Sequence, residues 1–228
     1  MTTAIQLGSP ATLGKVLLIC GIVSSLVYFI TDIAASMLYP GYNFASQAVS
    51  ELFAIGAPTS SLVVPLFTLS SALFVAFAFG VRMSVGQKNR ALRLMALMIL
   101  GNAINTLVLW NFFPMHMRGS ELTFTDTMHG ILAVNPFAMA TIILGVFAFR
   151  NWFRFYTIGT IMISLVLAIL GFMYLSQFAA NQPTSWMGLF ERIAQYVALL
   201  WASVLAIVLL RVKKSQAQSV SMPGGSFG

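Results

Sequence analysis

A chain of 228 residues with 59% hydrophobic and 7% charged residues cannot cover a water-soluble globule with polar surface. That leaves an all-α, polytopic integral membrane protein. The net charge of +7 is spread as short clusters between apolar runs, which excludes a soluble basic domain that would hold nucleic acid. The single cysteine, Cys20, excludes an intramolecular disulfide and a thiolate metal cluster.

Residues 1–14 read as a short, polar, cytoplasmic tail, and the membrane domain as 15–212. The first span, about 16–38, carries Asp32 as its one charge after Lys15; about 20 apolar residues at 1.5 Å each cross a hydrocarbon core of roughly 30 Å. A cleavable signal peptide with Ala34-Ala35-Ser36 as its cleavage site is the rival reading, and the apolar stretch is long for one. The loop 39–60 follows, then spans of about 61–81, 94–113, 126–149, 155–178 and 187–210, and a disordered tail over 213–228. Pro65 lies in the first turns of the second span, where a missing N–H matters least. Asn102 and Asn105 share a face of the third span and are expected to point into the bundle. Asn135-Pro136 is expected to kink the fourth.

Lys and Arg near the ends of the spans set orientation. Lys15, Arg82, Lys88, Arg90, Arg93, Arg150, Arg154, Arg211, Lys213 and Lys214 fall on one side, and Arg118 and Arg192 on the other. Both termini are therefore expected in the cytoplasm, with the protein in the plasma (bacterial inner) membrane. The five acidic residues, Asp32, Glu51, Glu121, Asp126 and Glu191, and both histidines, His116 and His129, then gather at the opposite face. Polar groups are cheaper near the interface than at the bilayer centre, which accounts for each singly and less well for their spacing.

Asp126 and His129, three apart, suit a carboxylate orienting an imidazole, and Glu191 and Gln195, four apart, share a helix face beside Arg192 and Tyr196. A short helix over Phe44 to Ala54 would put Asn43, Gln47, Ser50 and Glu51 on a polar stripe. The expected catalytic residues are Glu51, Asp126 and His129, with Ser50 as a nucleophile that lacks a Gly-x-Ser-x-Gly turn. Asp32, Tyr39, Asn43, Gln47, Arg118, Glu191, Arg192 and Gln195 are the expected binding residues. His116, His129 and Glu51 would supply the three ligands of a catalytic Zn2+, although no His-Glu-x-x-His pattern is present. Structural ion pairs, such as Asp126 with Arg118, are the plainer fate of such groups. Trp110, Trp152, Trp186, Tyr39 and Tyr42 read as interfacial anchors.

The run Tyr39-Pro-Gly-Tyr, Ser46-Gln47, Val49-Ser-Glu-Leu52 and Gly56-Ala-Pro58, with Phe113-Pro114 and His129, resembles the six-span bacterial and archaeal membrane family known as domain of unknown function 998. Phe53 stands where that family is expected to have glycine, which here is delayed to Gly56. The Ser-Glu with the Gly and Pro that follow is also similar to Frag1/DRAM/Sfk1 membrane proteins, which would imply lipid-related or regulatory roles. The resemblance implies the six-span fold and an outer polar loop as the site, carried onto Tyr39, Pro40, Ser50, Glu51, Pro114 and His129, and brings no activity.

These residues suggest a metal-assisted hydrolase of lipid headgroups or small molecules. The alternatives are a lipid-sensing or accessory subunit, and a proton-coupled transporter relaying through Asp32, Asp126 and Glu191. Membrane lipids and a partner membrane protein or second copy are the expected partners.

Overall fold

The computed structural model describes residues 10–84 and 89–221, so the tail over 1–9, Lys88 and the last residues from 222 on lie outside the described residues. Eight α-helices follow in order: α1 (Pro10–Leu38), α2 (Ser60–Met83), α3 (Arg90–Phe112), α4 (Phe124–Ala133), α5 (Pro136–Ala148), α6 (Trp152–Phe172), α7 (Leu175–Ala179) and α8 (Met187–Ser221). A 3-10 helix, Val49–Phe53, sits in the first long loop. Six segments are long and apolar enough to cross a membrane, with α4 and α5 together making the fourth, Phe124–Ala148. The protein is a multi-span integral membrane protein.

Local sequence sets the helix boundaries. Asn89, Thr123 and Asn151 cap α3, α4 and α6, each side chain accepting a hydrogen bond from a backbone N–H of the first turn. Asn135 breaks the fourth span: it takes a left-handed φ of 40°, which asparagine tolerates better than most residues, and Pro136 starts α5 at its first turn. The expected kink is thus a full break. Asn105 and Asn102 hold it from α3, Asn105 Nδ2 donating to the Leu132 carbonyl at 2.9 Å and Asn102 Oδ1 accepting from Asn135 Nδ2 at 2.6 Å. These bonds satisfy groups that a broken helix would otherwise leave bare in the bilayer.

Three of the spans differ most from expectation at their ends. The first helix begins at Pro10, inside the segment read as a tail, because the residues from Thr12 on are already apolar enough for the span. The fifth span, α6, starts at Trp152 and stops at Phe172, with α7 as a separate turn after it. The last helix runs on to Ser221 through the segment read as disordered, where Ser and Gln favour a helix more than the glycines beyond.

The spanning helices pack in a closed ring: α1 on α2, α2 on α3, α3 on α5, α5 on α6, α6 on α8 and α8 back on α1. Lipid is as apolar as leucine, so close contact and buried hydrogen bonds hold the ring rather than hydrophobic transfer. At Gly80 a Cβ would lie 2.7 Å from the Leu17 backbone, so α1 and α2 meet almost main chain to main chain. Ser24 and Ser70 bond reciprocally across the same contact, Oγ to carbonyl, at 2.7 and 3.0 Å.

The two ends of the ring differ. Toward the end carrying Arg82, Arg90, Arg93, Arg150, Arg154 and Arg211, the interior is filled by Leu18, Phe77, Val81, Met95, Ile99, Phe153, Trp201 and Leu205. Toward the other end, three loops cover the bundle and the interior opens.

Candidate functional site

The loop from Tyr39 to Thr59 begins where Pro40 prevents α1 from continuing, and it is pinned to the bundle by a guanidinium. Arg192 on α8 and Asp32 on α1 are both fully buried. Arg192 Nε donates to Asp32 Oδ2 at 3.0 Å and Nη2 to Oδ1 at 3.0 Å. Nη1 donates to the carbonyls of Phe44 and Gln47, both at 2.9 Å, and Nη2 also to the Tyr42 hydroxyl. The Phe44 ring lies under the guanidinium at 4.1 Å, and Tyr196 donates its hydroxyl to Asp32. A planar five-donor head is suited to this arrangement, and an ammonium is not. Burial pushes the Tyr42 phenol above its ordinary range, so it remains a hydroxyl and donates to the carbonyls it faces.

A second buried carboxylate ties the loops to one another. Glu51 accepts from the Ala48 N–H at 2.9 Å, from Gln47 Nε2 at 3.0 Å and from Arg118 Nη2 at 2.8 Å. Arg118 Nη1 reaches Thr184 Oγ1 at 3.1 Å, and Thr184 donates to the Ser46 carbonyl at 2.7 Å. Ile55 pairs with the second loop, its N–H donating to the Met115 carbonyl at 2.8 Å. The first, second and third loops therefore form one cap across the end of the ring.

Beneath the cap lies a cavity of about 780 Å³, within the roughly 300–1,000 Å³ of small-molecule sites. Its wall combines Tyr28, Phe53, Phe74, Leu109, Trp110, Met139 and Leu199 with Asn102, His116, Arg118, Asp126, His129, Glu191 and Gln195. A second cavity of about 370 Å³ between α5, α6 and α8 shares Met139, Glu191, Gln195 and Ala198 with the first. Four buried polar atoms on these walls, Trp110 Nε1, Arg118 Nε, Asn135 Oδ1 and Ser164 Oγ, have no hydrogen-bond partner among the described residues.

The two histidines are each fixed through Nδ1. Asp126 accepts four hydrogen bonds: from the His116 N–H at 2.7 Å, His116 Nδ1 at 3.0 Å, Thr123 Oγ1 at 2.7 Å and the Thr123 N–H at 2.9 Å. It thus closes the first turn of α4 and aims the His116 ring. His129 Nδ1 lies 2.8 Å from the Phe113 carbonyl, an acceptor only, so Nδ1 carries the proton and Nε2 is left with its lone pair. Both rings line the cavity.

Several expectations are corrected by this geometry. Asp126 orients His116, ten residues away, and not His129, because as the third residue of α4 it turns back toward the cap and the loop. Arg118 pairs with Glu51 rather than Asp126. Residues 44 to 48 are turns and only Val49–Phe53 is helical, so Glu51 is buried under the loop while Ser50 faces the cavity. Asp32, Tyr39, Asn43, Gln47, Glu51 and Arg192 do not line the cavity and instead hold the cap in place. Asp32, committed to Arg192, is no open relay group. The proposed metal set of His116, His129 and Glu51 is not assembled: among the described residues no three His, Cys, Asp or Glu side chains converge to hold a metal, since Glu51 is taken up by Arg118 and Gln47.

Other expected residues do come together. His116, Arg118, Asp126, His129, Glu191, Gln195 and Ser50 surround one space. Trp110, read as an interfacial anchor, is 8% exposed and is a wall residue instead, whereas Trp152 and Trp186 are half exposed as anchors should be. Thr184, which joins the third loop to the other two, carried no signal in the sequence beyond its place in a polar loop.

The sequence model of the family described as protein of unknown function, DUF998, matches residues 22–208. No curated protein and no solved structure matches the chain.

Proposed function

The chain belongs to the DUF998 family, and we propose that it is an amphiphile-binding membrane protein, taking the polar head of a lipid or lipid-like molecule into the cavity beneath the cap. The observation that carries this reading is the composition of the cavity wall. Titratable side chains of the loops and helix ends, His116, Asp126, His129 and Glu191, share the wall with aromatic and aliphatic ones, and the hydroxyls and amides of Ser24, Ser70, Asn102 and Thr106 lie deeper. A smaller, mostly apolar cavity adjoins it at membrane depth. A polar chamber joined to an apolar one fits a molecule with one wet and one oily end.

In this reading the protein lies with its basic end in the cytoplasm, following the Lys and Arg distribution, and the cap faces the other side. The test is lipid extraction from the purified protein followed by mass spectrometry, beside Ala198→Phe, which fills the space shared by both cavities. Co-purifying lipid in the wild type and its loss in a folded variant supports the reading; equal lipid in both sinks it.

A second reading is hydrolysis of the bound molecule. It is favoured by the His116–Asp126 pair, which leaves His116 Nε2 free to accept a proton from water, as a positioned general base must. Incubation with labelled phospholipid and with His116→Gln checks it: turnover abolished in the variant supports it, and no turnover in the wild type discards it.

A further inference from the structure

We propose that the amphiphile held in the cavity carries a cationic ammonium group, seated against Glu191 and the surrounding aromatic faces, and an oxygen acceptor directed at Trp110. This rests on the reading of the cavity as an amphiphile site.

The charges on the wall are unequal. Glu121, Asp126 and Glu191 line the cavity, against Arg118 as its one Lys or Arg among the described residues. Arg118 is paired with Glu51 at 2.8 Å through Nη2, with Nε alone lacking an acceptor among the described residues, and Asp126 is filled by His116 and Thr123. Glu191 is different. Oε2 accepts from the Val49 N–H at 3.1 Å, and no other described residue hydrogen-bonds the carboxylate. Its neighbour Arg192 makes no hydrogen bond to it, because that guanidinium is turned to Asp32 and the loop carbonyls. A carboxylate that lines the cavity with one hydrogen bond and no ion pair is open to a cation entering it.

The wall supplies the rest of an ammonium site. Tyr28, Phe53, Phe74 and Trp110 line the same space, and aromatic faces attract cations most strongly where water is excluded. Trp110 adds an independent requirement. It is 8% exposed and its indole N–H, a donor only, has no acceptor among the described residues. A ligand that carries an ester, phosphate or hydroxyl oxygen near its ammonium group satisfies both. The adjoining cavity, walled by Ala138, Ile142, Leu167, Ala168 and Ala194, begins at Glu191 and receives the hydrocarbon chain.

The experiment uses the full chain in a neutral maltoside detergent. Native mass spectrometry measures retention of dodecyltrimethylammonium, dodecylphosphocholine, dodecyl phosphate and dodecyl glucoside by wild type, Glu191→Gln, Glu191→Asp, Trp110→Phe and Ala198→Phe. The wild type is expected to hold the two ammonium probes roughly tenfold better than dodecyl phosphate. Glu191→Gln should abolish that preference and Glu191→Asp keep part of it. Trp110→Phe should weaken dodecylphosphocholine, which brings an oxygen acceptor, and spare dodecyltrimethylammonium. Preference for dodecyl phosphate, or an ammonium preference that survives Glu191→Gln, overturns the ammonium assignment while leaving an amphiphile site. Retention of every probe unchanged by Ala198→Phe overturns the amphiphile reading itself. Thermal unfolding of each variant separates loss of binding from loss of fold.

Discussion

Glu51 of the first loop and Arg118 of the second meet at 2.8 Å, with 4% and 22% of their side chains exposed. This is the contact through which a loop after α1 governs the position of a loop after α3. Removing one partner leaves a buried carboxylate short of a charge. Arg118→Ala is expected to cost about 3 kcal/mol and to lower the Tm in detergent, whereas adding Glu51→Gln to it should cost much less than the two separate losses combined. Additive losses in the double variant would mean that the pair is not coupled.

Arg192 is the residue for which charge alone should not suffice. Lysine keeps the charge but cannot reach Asp32, Tyr42 and two loop carbonyls from one planar head. Arg192→Lys is expected to destabilise the protein by about 3 to 5 kcal/mol, close to the loss for Arg192→Ala. Thermal unfolding followed by intrinsic fluorescence compares the three. A lysine variant as stable as the wild type would contradict the clamp.

Asp126 acts on two neighbours at once, and its substitution should separate them. In Asp126→Ala the cap of α4 weakens by about 1 kcal/mol, and the His116 ring loses the acceptor that fixes its tautomer. Nitrogen-15 NMR of histidine-labelled protein should then show a mixture of His116 tautomers. The His129 signal should stay with Nδ1 protonated, because its partner is the Phe113 carbonyl. A change at His129 and none at His116 would reverse the assignment.

Gly188, at the start of α8, is a steric test of the cap. A Cβ there would stand 2.1 Å from the Gln47 carbonyl oxygen, which also accepts from Arg192. Gly188→Ala is expected to cost at least about 1 to 3 kcal/mol as overpacking. It should also speed proteolytic cleavage within residues 39–48 more than cleavage elsewhere. Unchanged stability and cleavage would mean that the loop yields freely.

Hydropathy made the spans legible, because a helix in lipid needs only length and apolar composition, and both are local. Asn102 and Asn105 were legible for the same reason: two amides on one face of an apolar helix have to find partners inward, and they found the break at Asn135. The pairing of charges was not legible. Asp126 with His116, Glu51 with Arg118 and Asp32 with Arg192 are fixed by how the loops cross the ring, and helical spacing pointed to Asp126 with His129 instead. Trp110 misled by its position near a span end, where an anchor and a wall residue have the same sequence context. Whether an indole faces lipid or the interior depends on the rotation of α3 against its neighbours, which no short-range pattern encodes.

The packed plug around Trp201, Phe153 and Leu205 makes the chamber blind at the basic end. In the proposed reading an amphiphile would therefore exchange through the capped half of the bundle. Its occupancy would follow the composition of a single leaflet and ignore the other. A protein that bound lipid in this way would report transbilayer asymmetry, and flipping a lipid between leaflets would fill or empty it without any change in the total lipid of the membrane.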